Sequence, residues 1–277
     1  MAVLGEDGPG TGLVLPRRKA LGMVMSAAAV AAGGTVLAAC GAPATSNKPL
    51  TIPGAVATTG GSSLTSSTAN PKTASTMVAA TSSGVNLVAS GTDINNTADS
   101  FTYYFVQNSG AGTWSCKVNK QPTVSGDGGY ALAGLLARAD GTPGAAEIGL
   151  FSTDGQGVLL RWRDAAGQAM NQWPSPIAVG VTAPIWLQLT LAKSTNVFGV
   201  SYSTDGKTWA NEGITRSMSF ASNTFLVGLA ACAHSATAYA VDQFTDIQGF
   251  GTKKFYYLDV APTSTSSAKT SSAKSSS

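Results

Sequence analysis

The stretch Ile185-Trp186-Leu187-Gln188-Leu189-Thr190-Leu191-Ala192 decides the fold. Ile185, Leu187, Leu189 and Leu191 fall on one face of an extended chain, and Trp186, Gln188, Thr190 and Ala192 fall on the other. Successive side chains of a pleated strand point to opposite sides, so this alternation marks a strand half-buried in a sheet. After a turn at residues 194–196, Phe198, Val200 and Tyr202 repeat the pattern. Ser203-Thr204-Asp205-Gly206-Lys207-Thr208-Trp209 follows. Asp205-Gly206 is a hairpin signal because both residues tolerate positive φ, and Trp209 is expected to pin the hairpin.

The same texture runs outward from about Gly84 to Gln248. Strands are expected at Val85–Ala89, Phe101–Gln107, Thr113–Asn119, Tyr130–Arg138, Glu147–Ser152 and Val158–Arg163. Phe225–Ala233 and Ala240–Ile247 complete the set. Many short strands separated by turn signals, with no long helical period outside the N-terminal leader, predict an all-β protein. The expected architecture is a two-sheet antiparallel β-sandwich of the jelly-roll kind.

Of the 277 residues only 11% are charged, 32 are glycine, and the net charge is +3. Several of the cations lie in the leader (Arg17, Arg18, Lys19) or near the C-terminus (Lys253, Lys254, Lys269, Lys274). The core carries no dense basic stripe, which argues against a nucleic-acid partner.

Arg17-Arg18-Lys19 precede an apolar, alanine-rich run from Ala20 to Val36, then Leu37-Ala38-Ala39-Cys40. Charge, apolar core and small residues before a cut describe an export signal, and the ending resembles a bacterial lipobox. That resemblance implies diacylation of Cys40 as the mature N-terminus, and two acyl chains make a stable membrane anchor. A short transmembrane anchor is the alternative. The ordinary secretory and twin-arginine routes both remain open, since Pro16 and Ala20 depart from the twin-arginine pattern.

The expected organisation is therefore a signal peptide over 1–39, a Ser/Thr/Ala-rich tether over 40–83 and a sandwich over 84–248. Residues 249–277 hold a last strand or packed patch at Phe255–Leu258, then a Ser/Lys-rich disordered tail. The expected location is extracytoplasmic, at the cell envelope. Cys116 and Cys232 are read as free, buried thiols, with a disulfide as the alternative that export permits.

Several strands carry residues that belong together. They are Gly91-Thr92-Asp93-Ile94, Thr97 to Phe101 with Tyr103, Ala133 to Arg138, Arg161-Trp162-Arg163, the Ser203–Trp209 hairpin, and Val227-Gly228-Leu229-Ala230 leading to His234. In this order the chain resembles the concanavalin A-like lectin/glucanase jelly-roll modules of bacterial secreted proteins. It is similar in particular to their regulation-of-enolase-like branch of unknown function. The resemblance implies an antiparallel sandwich that often accompanies catalytic domains; none accompanies it in this sequence.

Retaining glucanases of that superfamily need two carboxylates about 5–5.5 Å apart. The only glutamates are Glu6, Glu147 and Glu212; Glu147 has no acidic partner in phase, and Asp140 and Asp154 sit in Gly-containing turns. His234 is the sole histidine, and no serine stands in a nucleophile elbow. No spacing names a zinc or calcium site, so no catalytic residue, metal or cofactor is expected.

Binding remains. Arg138, Arg161, Arg163 and His234 fall on strand faces that, if neighbouring, line one concave surface with Trp186 and Gln188 nearby. Trp173, between Gln172 and Pro174, is the expected exposed aromatic. Such polar forks and aromatic faces suit sugars. The competing reading pairs the arginines with Asp140 and Asp164 and puts Trp162, Trp186 and Trp209 in the core. The expected function is a lipid-anchored, non-catalytic envelope module that binds polysaccharide. The alternatives are an adaptor for an envelope protein and a divergent glycoside hydrolase.

Overall fold

The computed structural model describes residues 56–57, 78–80, 84–192, 195–210 and 213–262, with side chains from residue 84 onward. The leader, Cys40 and the Ser/Lys-rich tail beyond 262 lie outside the described residues.

Two antiparallel sheets form the sandwich that the alternation predicts. One contains β1 (Val56–Ala57), β4 (Phe101–Ser109), β6 (Leu132–Arg138), β7 (Glu147–Thr153) and β8 (Gly157–Arg163). It also contains β9 (Asn171–Gln172), β10 (Ala178–Val179), β14 (Thr224–Cys232) and β16 (Tyr256–Val260). Its order is β1-β16-β4-β14-β6-β7-β8-β10, with β9 also on β8. The other contains β2 (Val78–Ala80), β3 (Gly84–Ala89), β5 (Gly112–Lys120), β11 (Ile185–Leu191), β12 (Val197–Ser203), β13 (Thr215–Ser217) and β15 (Ala240–Gln248). Its order is β13-β12-β11-β5-β15-β3-β2.

The strand β11 shows why these residues form these elements. Ile185, Leu187, Leu189 and Leu191 are buried, while Trp186, Gln188 and Thr190 are half-buried on the opposite face. Facing the first set across the sandwich are Leu135, Ile148, Leu150, Leu160, Val227 and Leu229 of the nine-stranded sheet. Burial of apolar surface stabilises by about 25 cal/mol per Å², and this inter-sheet layer contributes on that scale.

The nine-stranded sheet departs from a simple sandwich because it is covered on both faces. β6, β7 and β8 are buried at every position. A second apolar cluster, including Phe101, Tyr103, Phe105, Leu136, Phe151 and Leu226, lies on its outer side. Residues 90–100 fold across that side before entering β4. Gly91 accepts from Ser235, Asn96 accepts from Met170, and Asp99 donates its backbone N–H to Pro143. Ile94, fully buried, plugs the segment into the cluster.

Three boundaries differ from the sequence reading. β1 and β2 fall in the segment read as a tether, pairing with β16 and β3 respectively. Of the two readings of Phe255–Leu258, the last strand holds: β16 pairs with β4, so the nine-stranded sheet runs on to Val260. β13 extends the sheet beyond β12. The hairpin after β12 is fixed by Asp205, whose Oδ1 accepts the N–H groups of Lys207 and Thr208. Trp209 is half-buried; it is Trp186 whose indole packs under Gly206.

Candidate functional site

The four arginines among the described residues divide into three that are committed and one that is not. β6, β7 and β8 are neighbours, and Arg138, Glu147 and Arg163 lie opposite one another in register. The 90–100 segment adds Asp99. Arg163 donates to both oxygens of Asp99, at 2.7 and 2.9 Å, and to Glu147 Oε1 at 3.2 Å. Arg138 meets Asp99 Oδ2 and Glu147 Oε2 at 3.2 Å each. All four side chains are sealed from solvent. Burial pushes the Glu147 carboxyl up to about 8, Arg138 and Arg163 oppose that, and the charge of Asp99 adds to it.

This corrects the expectation of an open concave surface. Arg138, Arg161 and Arg163 do share the outer face of the nine-stranded sheet, but that face is closed. Nor do they pair with the aspartates beside them: Asp140 caps the turn at Thr142, and Asp164 accepts from Asn171. Arg161 is 5% exposed and binds Asp93 Oδ1 at 2.8 Å, the carbonyl of Ile94 and the amide of Gln172. A closed face cannot receive a ligand without moving the 90–100 segment.

His234 sits where that segment meets the end of β14, with φ +51° and 31% exposure. Its Nδ1 lies 3.6 Å from Asp93 Oδ2, and its ring is 5.8 Å from that of Tyr130. Further along this end stand three more aspartates. Asp127 accepts from the backbone of Gly129 and Ala131. Burial acts upward on it, but those N–H groups, a hydrogen bond with Asp154 and the charge of His234 bring it below the ordinary carboxylate range. Burial pushes Asp154 and the enclosed Asp242 up. Asp154 accepts from the backbone N–H of Val124 through Oδ2, and its Oδ1 is enclosed without a hydrogen-bond partner. Among the described residues no three His, Cys, Asp or Glu are arranged to hold a metal ion.

Trp186 and Gln188 lie on the outer face of the seven-stranded sheet, among Ser115, Lys117, Thr190 and Ser201. The Trp186 indole donates to Asp246 Oδ2 at 2.9 Å and lies beneath Lys117 Nζ at 4.4 Å. With Gly206 also packed on the ring, it braces the hairpin rather than offering a clear stacking surface.

The remaining site is the edge where β13 faces β8 and β9. Trp173 is not the exposed aromatic expected: it is half-buried, packs against the inter-sheet core and donates its backbone N–H to the carbonyl of Leu160. Trp162 beside it is 8% exposed. Between them comes Arg216, with its guanidinium carbon 4.0 Å from the Trp162 ring centre and 5.5 Å from that of Trp173. Sequence reasoning missed Arg216. The available signal was the alternation Ile214-Thr215-Arg216-Ser217-Met218, which places a cation in a row with two buried apolar residues.

No family model matches this chain and no curated protein matches it. Among solved structures, a functionally unknown protein from Saccharomyces cerevisiae matches at 21% identity with a TM-score of 0.46, over 65% of this chain and 91% of that one. A xylan beta-1,4-xylosidase from Bacillus halodurans matches at 14% identity and a TM-score of 0.38, over 63% of this chain. The chain spans about a third (32%) of that enzyme's length. Lectin I from Ulex europaeus, solved with the methyl glycoside of alpha-L-fucose, matches at 6% identity and a TM-score of 0.29, over 58% of this chain and 72% of that one.

Proposed function

We propose that this chain is a lipid-anchored, non-catalytic binding module of the cell envelope, recognising carbohydrate at the Trp162–Trp173–Arg216 edge. The observation that carries this reading is that two indoles converge on a guanidinium at a partly open sheet edge. Indole faces stack on the C–H faces of pyranose rings, and guanidinium N–H groups bind ring hydroxyls. The concanavalin-like resemblance of the sequence supports the same ligand class, and the enolase-regulator-like branch is the one its motifs favour.

The non-catalytic part rests on commitment of the acidic groups. Asp99 and Glu147 are locked to arginines, Asp93 to Arg161, and Asp127 to the backbone N–H groups of Gly129 and Ala131. The anchor rests on the Leu37-Ala38-Ala39-Cys40 ending.

The test is a panel of envelope and plant polysaccharides offered to the full chain and to Trp173→Ala. Saturable binding that weakens about tenfold in the variant, with no release of reducing ends, supports the reading. Silence across the panel shifts it to an envelope adaptor, and turnover of a bound glycan shifts it to a hydrolase. Incorporation of labelled palmitate, lost in Cys40→Ala, tests the anchor.

A further inference from the structure

We infer that the edge site takes a carboxylated saccharide, a uronic acid unit, and that Arg216 is its specificity-determining residue. This rests on the carbohydrate reading above and narrows it.

Arg138, Arg161 and Arg163 each hold a carboxylate at 3.2 Å or less. Among the described residues the side chain of Arg216 makes no hydrogen bond or ion pair, and its Nε is enclosed without an acceptor. Its position explains why it is nonetheless held in place. Ile214 and Met218, two residues to either side, are buried at 6% and 1% exposure, so the strand's alternation turns Arg216 inward. The Trp162 face then supports the guanidinium plane. Stacking uses the faces of a guanidinium and leaves its N–H edges free, and arginine accepts such an environment because it is more weakly hydrated than an ammonium.

A fixed, half-buried planar fork with unused donors matches a planar carboxylate, which it can bind through two parallel N–H···O bonds. One cation favours one negative charge: among the described residues no second cation lies over Trp162 or Trp173, as a doubly charged phosphate would call for. Trp173, half-buried beside the guanidinium, supplies the apolar surface for the sugar ring that carries the carboxylate, while Trp162, 8% exposed and covered by Arg216, backs the fork. A neutral sugar meets the same stacking surface but leaves the charged fork without its counter-charge. A charge-assisted hydrogen bond contributes about 1.5–3 kcal/mol, which is about tenfold or more in affinity.

The experiment titrates the full chain with oligogalacturonate and with its fully methyl-esterified form of equal length, by calorimetry and by the indole N–H resonances. The acid is expected to bind at least about tenfold tighter than the ester, with Trp162 and Trp173 signals moving. In Arg216→Gln, shown folded by circular dichroism, the two forms should bind equally and at the wild-type ester's affinity. Arg216→Lys, with charge but no fork, should recover only part of the preference.

Equal binding of acid and ester by the wild type overturns the inference and leaves the carbohydrate reading standing. So does an acid preference that survives in Arg216→Gln. Tighter binding of a glutamate oligopeptide than of oligogalacturonate overturns the saccharide assignment in favour of an acidic peptide. Absence of binding by both forms overturns the inference, and the polysaccharide panel then decides the broader reading.

Discussion

Asp99 grips Arg163 with both carboxylate oxygens although the two are 64 residues apart in the chain, and both are completely buried. Asp99 arrives on the segment that crosses the outer face of the nine-stranded sheet; Arg163 stands at the end of β8. The pair therefore latches that segment over the sheet. Arg138 and Glu147 complete a group of two guanidinium and two carboxyl groups, whose opposite charges offset part of the cost of removing them from water.

Breaking the latch should be expensive. Arg163→Ala leaves two buried acids facing only Arg138, and removing one partner of a buried pair costs about 3–5 kcal/mol. Urea denaturation of Arg163→Ala and Asp99→Ala should show losses of that order, with a double variant losing less than their sum. A loss below about 1 kcal/mol would mean the segment is not held by this pair. Arg163 variants thus report stability, not ligand contact.

Glu147 sets a pH dependence whose sign follows from burial. Its carboxyl is pushed up to about 8, above its unfolded value near 4.5, so the folded state holds a proton that the unfolded state has lost between those values. Stability from this group is complete below about pH 4.5 and is lost as pH rises through about 8. Asp154 and Asp242, also pushed up by burial, act in the same direction. Denaturation midpoints should fall from pH 5 to pH 9, and Glu147→Gln should flatten the slope. An unchanged slope in that variant would place the dependence on the aspartates.

The strand alternation made the sandwich legible, and it also put Arg138, Arg161 and Arg163 on one sheet face. It could not show that residues 90–100 cover that face, because a covering segment contributes no periodicity of its own. Glu147 was the overlooked cue: an acid inside an apolar strand, between two strands ending in arginine, calls for internal pairing. Arg216 was harder to find, since a three-residue strand is too short for its period to stand out. Trp173 looked exposed because Pro174 and Gln172 mark a loop, yet the neighbouring β8 draws the indole onto the core.

At the tip after β12, Gly206 is required twice over. Its φ is +71°, and a Cβ there would lie 2.8 Å from the Trp186 ring. A left-handed conformation costs a non-glycine residue about 1–2 kcal/mol, and the contact with a braced indole adds to that. Gly206→Ala should lower the melting temperature, and Gly206→Val should lower it further. Trp186→Ala should relieve the contact, so that Gly206→Ala costs less in that background. Equal costs in both backgrounds would show that backbone strain alone is responsible.

Cys116 and Cys232 are free and buried on opposite sides of the fold, one between the sheets and the other beneath the 90–100 segment. Burial pushes the Cys232 thiol up to about 12, and raises Cys116 even further. A thiol reagent attacks through the thiolate, so both are doubly protected, by inaccessibility and by protonation. The two differ in what covers them. Cys232 lies against the carbonyls of Gly91 and Ser100, on the segment latched by Asp99 and Arg163. Cys116 is reached only by separating the sheets. In native buffer neither should be labelled; in Asp99→Ala, Cys232 should label well before Cys116, as read by peptide mapping. Simultaneous labelling of both would mean that the segment opens only when the whole sandwich unfolds. Labelling of Cys116 first would show that the sheets part more readily than the latch releases.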